Sequence, residues 1–122
     1  MPVRSLDSSV LKWPNWGEVR LALEVWTARA LSIGDVLSVG FFGSYARGDW
    51  GVGSDLDLVV VVKDSDLPFE RRSAHWDTTS LPVPVDLLVY TQEEWQSFQT
   101  RGPVNGKLMR EIIWLHPRDT AR

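Results

Sequence analysis

The hydrophobic and polar positions of this chain change period several times, and each change marks an element. Val19, Leu23, Trp26 and Ala30 recur at helical spacing, and Asn15 with Glu18 three positions on has the form of a capping box. A helix therefore opens after Asn15 and ends near Gly34, with Arg20, Glu24 and Arg29 off its apolar stripe as a solvated face. Val36-Leu37-Ser38-Val39-Gly40-Phe41-Phe42 is nearly unbroken apolar sequence of strand length, which predicts a sheet covered on at least one side. Gly43-Ser44 closes that run and opens a short helix to about Gly48, with Ser44 expected as its N-cap. From Asp55 the period is two: Leu56, Leu58, Val60 and Val62 point to one face, Asp55, Asp57, Val59 and Val61 to the other. After the polar break Lys63-Asp64-Ser65-Asp66, a second helix is expected from near Pro68 through Phe69, Ser73 and Trp76. Val85-Asp86-Leu87-Leu88-Val89-Tyr90 is the third strand, and Thr91 with Glu94 opens a third helix carrying Trp95 and Phe98. It stops before Arg101-Gly102-Pro103, and the stretch from Gly106 to Leu115 is expected to begin helical and end extended.

These elements make an α/β (α+β) domain, a small mixed sheet flanked by helices. Residues 15–122 are read as this one domain, and residues 1–14, with Pro2, Pro14 and no period, as an N-terminal arm that can pack through Leu6, Val10, Leu11 and Trp13. A chain of 122 residues can bury roughly two-thirds of its unfolded surface, enough for a core. No apolar run is long enough to span a membrane and no signal peptide is apparent, so the expected location is cytoplasmic. The absence of cysteine excludes disulfides, thiolate zinc sites and cysteine nucleophiles. A formal charge of −3 disfavours extended nucleic-acid binding, whose affinity comes from Lys and Arg displacing counterions. Seven tryptophans are many for this length; packing accounts for them unless a surplus is found outside, which would mark a partner surface.

The chemistry concentrates in Gly43-Ser44-Tyr45-Ala46-Arg47-Gly48-Asp49-Trp50-Gly51-Val52-Gly53-Ser54-Asp55-Leu56-Asp57-Leu58. Asp55 and Asp57 lie roughly 6–7 Å apart on one side of a strand. Both can converge on one hard cation, and magnesium usually takes one or two carboxylates plus substrate phosphates. The first turn after Gly43-Ser44 offers free N–H groups to an anion, and Arg47 brings a planar donor fork to the same place. No Gly-Lys-Ser/Thr follows, which excludes a Walker A loop. Taken singly, each feature has a structural explanation, as a helix start or a solvated strand end. Trp50 can stack on a base or simply pack. Arg71, Arg72 and His75 are read first as a solvated face, and Asp86 is equally a strand end or a functional carboxylate on spacing alone.

The combination is more specific than its parts. A strand, a Gly-Ser turn, a basic residue and then Asp-x-Asp on a new apolar strand resemble the signature of the DNA polymerase β-like nucleotidyltransferase superfamily. Gly-Ser-Tyr-Ala-Arg-Gly and Ser-Asp-Leu-Asp-Leu look like the motifs of its minimal nucleotidyltransferase (MNT) family, which includes antitoxins paired with HEPN-domain toxins. The resemblance implies catalytic and metal-ligating roles for Asp55, Asp57 and Asp86, the last matching the family's third carboxylate within Val-Pro-Val-Asp-Leu-Leu. It implies nucleotide binding by Gly43, Ser44 and Arg47, two Mg2+ ions when nucleotide is bound, and ATP as donor. Its implied partner is a HEPN-type toxin that receives AMP on a tyrosine, with a homo-oligomer also open.

Three functions follow. The first is a magnesium-dependent protein adenylyltransferase acting as antitoxin. The second is nucleotidyl transfer to a small molecule of aminoglycoside type, with another chain completing the pocket; the expected lack of a second domain favours the protein acceptor. The third is an antitoxin that acts by binding alone, and three confined like charges speak against it, since their repulsion raises their pKa values without serving a scaffold.

Overall fold

The computed structural model describes residues 13–100 and 109–117. Helix α1 (Trp16–Ser32) starts where the capping box predicts: the Asn15 side chain accepts from Glu18 N–H, and the Glu18 carboxylate accepts from Asn15 N–H. Strand β1 (Val36–Phe42) leads into the single helical turn α2 (Ser44–Arg47), and β2 (Leu56–Val62) follows the loop. The expected second helix is broken into α3 (Phe69–Arg72) and a 3-10 turn (Ser73–His75). In the tighter turn Trp76 N–H bonds the Ser73 carbonyl, and the Trp76 indole packs 5.9 Å from that of Trp26, whose Nε1–H donates to the Asp77 carbonyl. Strand β3 (Val85–Thr91) runs directly into α4 (Gln92–Gln99), whose Thr91–Glu94 capping box is also formed in both directions. Residues 109–111 are helical and lead into β4 (Ile113–His116), the expected helical start and extended end of that stretch. The arm up to residue 12 and the predicted break at 101–103 lie outside the described residues.

The four described strands form one sheet in the order β3-β2-β1-β4. Its two β1 pairings are antiparallel and the β2–β3 pairing is parallel, with α3 and the 3-10 turn in the connection. The alternation read in β2 holds. Leu56, Leu58, Val60 and Val62 join Val39, Phe41, Leu87, Val89 and Leu115 in the core beneath the Val19, Leu23, Trp26 and Ala30 stripe of α1. Val59 and Val61 face the other way and pack with Trp95, Ile112, Tyr90 and Phe98. At about 25 cal/mol per Å² of apolar surface, such two-sided burial is the main favourable term in folding. The tryptophans serve it: all seven lie within the described residues, and each is buried or half-buried.

One expected surface residue is internal. Arg72 is only 6% exposed. Its Nε donates to the Leu67 carbonyl at 2.8 Å, Nη1 to the Val89 carbonyl at 3.1 Å, and Nη1 and Nη2 together grip the Glu94 carboxylate, the latter at 3.0 Å. The reading of Arg72 as a solvated cation is therefore corrected: a planar fork can satisfy three acceptors at once, which makes its burial tolerable. Arg71 and His75 are exposed, as the solvated-face reading expects.

Candidate active site

The corner of interest is built by strand register. Antiparallel pairing sets Phe42 of β1 opposite Asp57 of β2, and parallel pairing sets Asp57 opposite Asp86 of β3. Neighbouring strands lie about 4.8 Å apart, so Asp57 and Asp86 are lateral neighbours on the same face. That face is the one that Val59, Val61 and Tyr90 share deeper in the sheet. Asp55 stands just ahead of β2, exposed like Asp86, while Asp57 is half-buried.

Gly43 forms the roof over Asp57. Its φ is +76°, and a Cβ placed there would fall 2.1 Å from Asp57 Oδ2. Only glycine allows both the backbone angle and that approach. Gly43, not Ser44, is the N-cap residue of α2, and no side-chain cap bond is made. The expectation of Ser44 as N-cap is thus corrected, because the positive-φ turn falls one residue earlier and leaves Ser44 as the first helical residue. Within the turn, Ala46 and Arg47 N–H bond the Gly43 carbonyl, and Gly48 and Asp49 N–H bond the Ser44 carbonyl. The N–H groups of Ser44 and Tyr45 stand outside this bonding, as the first donors of a helix do.

The Gly43 N–H has a different role from the one expected of it as a phosphate donor. It donates to Glu111 Oε1 at 2.9 Å, and Arg47 Nη1 donates to Glu111 Oε2 at 3.1 Å. Arg47 Nε meets Asp49 Oδ2, also at 3.1 Å. Asp49 and Glu111 together hold the Arg47 guanidinium more firmly protonated than usual. Nothing in the sequence singled out Glu111. The one signal was register: Phe41 pairs with Ile113, so two residues further along β1 and two residues back from β4 place Gly43 across from Glu111.

Burial raises the Asp57 pKa above its ordinary value, and the charges of Asp86, Asp55 and more weakly Glu111 push in the same direction against Arg47. The carboxylates therefore act on one another across the corner. Their donors are all hard oxygens, the chemistry that magnesium takes. Among the described residues no three Asp, Glu, His or Cys side chains are close enough to enclose an ion by themselves. The set suits an ion that shares its ligands between one or two carboxylates and substrate phosphates.

Trp50 packs rather than standing open for a base. Its ring stacks on Tyr45 at 5.2 Å and 11°, and Tyr45 in turn lies 5.5 Å from Trp16. This aromatic column fixes the loop between α2 and β2 on the α1 side of the sheet. The Gly43–Arg47 turn and the carboxylate strand are thereby anchored to one core.

Among the described residues, no helix is long and apolar enough to cross a membrane. No curated protein matches the chain at a significant level. The family model described as a nucleotidyltransferase domain matches residues 26–115, from the middle of α1 through β4, and so includes the Gly43–Arg47 turn, Asp55, Asp57, Asp86 and Glu111. With a mixed sheet flanked by helices, as in the polymerase β-like core, and with that match over most of its length, the chain belongs to the nucleotidyltransferase domain family.

Proposed function

We propose that this nucleotidyltransferase moves AMP from ATP to a hydroxyl of a partner protein, and that the partner is the HEPN-type toxin of a toxin–antitoxin pair. The observation that carries the catalytic reading is the lateral Asp57–Asp86 pair, with Asp57 half-buried beneath Gly43 and pushed toward protonation by burial and then by its acidic neighbours. Support for the acceptor comes from the match of Gly43–Gly48 and Ser54–Leu58 to minimal nucleotidyltransferase motifs, and from the exposure of Asp55 and Asp86, which leaves the corner open to a large surface.

In the reaction the acceptor oxygen bonds to the α-phosphorus, the bond from that phosphorus to the β-phosphate oxygen breaks, and pyrophosphate leaves. Asp86, exposed at the edge of the corner, orients the acceptor hydroxyl and takes its proton. Ser44 and the open N–H groups of the α2 turn hold phosphate oxygens, and Arg47 adds the positive charge that a triphosphate requires. Asp55, Asp57 and Asp86, one or two to an ion with substrate phosphates supplying the other oxygens, would hold magnesium, which when bound neutralises the phosphates and stabilises the oxygens at both ends of the displacement. Gly43 keeps backbone and Asp57 in contact, so that phosphate and carboxylates meet with little reorganisation.

The test is transfer of label. The protein is incubated with each α-labelled nucleoside triphosphate, magnesium and the protein that co-purifies with it. Label from ATP is expected on the partner and absent with Asp57→Ala. Inhibition of the partner that survives Asp57→Ala would instead mean neutralisation by binding, and label on a small molecule would move the acceptor to that class.

A further inference from the structure

Glu111 lies outside every motif, yet it holds the two groups on which the phosphate corner depends. Its side chain is 18% exposed, against 50% for Arg47 and 63% for Asp49, so the carboxylate sits beneath the guanidinium rather than in front of it. One oxygen takes the Gly43 N–H and the other takes Arg47 Nη1. Gly43 is the residue whose positive φ brings the chain against Asp57, and Arg47 is the cation that partly offsets the Asp57 environment. A single carboxylate thus ties the turn, the cation and the helical segment leading into β4 together. The register brings the two groups near each other, because the last β1–β4 pair, Phe41 with Ile113, lies two residues from each.

We infer that Glu111 is a positioning residue for nucleotide binding: it presents the Arg47 guanidinium to the phosphates by bracing it from below. This rests on the nucleotidyl-transfer reading above. Arginine has five N–H donors. Nε is turned to Asp49 and one Nη1 hydrogen to Glu111, which leaves the Nη2 pair and the other Nη1 hydrogen directed away from the brace. Without the brace, Arg47 is a half-exposed side chain on a single helical turn, and fixing its rotamer at each binding event costs affinity. Charge-assisted bonds of this kind carry more energy than neutral ones, so the effect is expected to be large enough to measure.

The experiment measures binding of ATP with magnesium by calorimetry in the full chain, which requires no acceptor. Glu111→Gln keeps an acceptor for the Gly43 N–H and removes the charge that holds Arg47. It is expected to weaken nucleotide binding by about tenfold with melting little changed. Arg47→Ala is expected to weaken binding at least as much, and the double variant no further than Arg47→Ala alone, since Glu111 acts through Arg47. Glu111→Asp, with the carboxylate kept one methylene back, is expected to recover part of the loss. Wild-type affinity in Glu111→Gln, tighter binding in it, or additive losses in the double variant would each overturn the inference. If Glu111→Gln fails to fold, the comparison of Glu111→Asp with and without Arg47→Ala decides the same question by the same criterion of additivity. Failure of the wild-type chain to bind any nucleoside triphosphate would overturn the functional reading itself, and is distinct from these outcomes.

Discussion

Two charged clusters on the same sheet are built on opposite terms. Around Arg72, at the end of β3, one buried guanidinium meets two carbonyls and a carboxylate, and Glu94 is shared between that cation and the Thr91 cap. At the other end of the β2–β3 pair, Asp55, Asp57 and Asp86 repel one another, and Arg47, the cation that partly offsets Asp57, is itself held by Asp49 and Glu111. The effects on acidity are opposite. Glu94 is held down to about 2, chiefly by the bonds from Arg72, while Asp57 is pushed up by burial and by Asp86. A cluster whose charges are paired stabilises the fold; one of like charges costs stability and is relieved by whatever brings positive charge. This difference separates the structural charges of the molecule from those that the proposed function assigns to chemistry.

The largest effect that would break the comparison is on rate. Asp57→Asn is expected to lower nucleotidyl transfer by at least ~1000-fold, since it removes a carboxylate from the centre of the acidic set. The same substitution is expected to raise the melting temperature of the ligand-free protein, on the order of a few degrees, because it deletes a repelled, half-buried charge. A lower melting temperature together with lost activity would place Asp57 among the structural charges instead.

Next in size is the closed cluster. Glu94→Ala leaves the Arg72 cation without its carboxylate and removes half of the α4 capping box, for an expected cost of about 3 kcal/mol in denaturant unfolding. Transfer per folded molecule should be unchanged. A cost below about 1 kcal/mol would reduce this pair to an ordinary surface bridge.

The smallest effect, and the one that sharpens the contrast, is in pH. Glu94 has a depressed pKa, so its contribution is present above the ordinary value of 4.5 and is lost as pH falls from there through about 2. Asp57 has a raised pKa, so the folded state binds its proton more tightly than the unfolded one. Its contribution is favourable at low pH and is lost as pH rises from the ordinary value of 3.8 through the raised one. Melting curves of Glu94→Gln and Asp57→Asn should therefore depart from wild type in opposite directions as pH rises through the acid range. Asp57→Asn should gain relative stability as pH rises, and Glu94→Gln should lose it.

What was legible in the sequence was whatever depends on near neighbours. The Asn15–Glu18 and Thr91–Glu94 boxes declare themselves within three residues, and the Asp55–Val62 alternation fixes which side chains share a face before any partner strand is known. Asp55, Asp57 and Asp86 could be proposed as a set because alternation and motif together placed them at strand starts. The Ser44 cap was misplaced by one residue, since the positive-φ turn falls at Gly43, where the chain lies against Asp57 of the neighbouring strand.

Tertiary structure alone decided the rest. Arg72 looks like half of a solvated basic pair until Glu94, twenty-two positions away, turns toward it. Glu111 is an unremarked acid ahead of an apolar run until the β1–β4 register carries it sixty-eight positions back to Gly43. Hydrogen bonds of this kind require two groups to meet at about 3 Å, and only chain packing specifies that distance. Local preference selects the elements and their faces, whereas strand register selects which charges become neighbours.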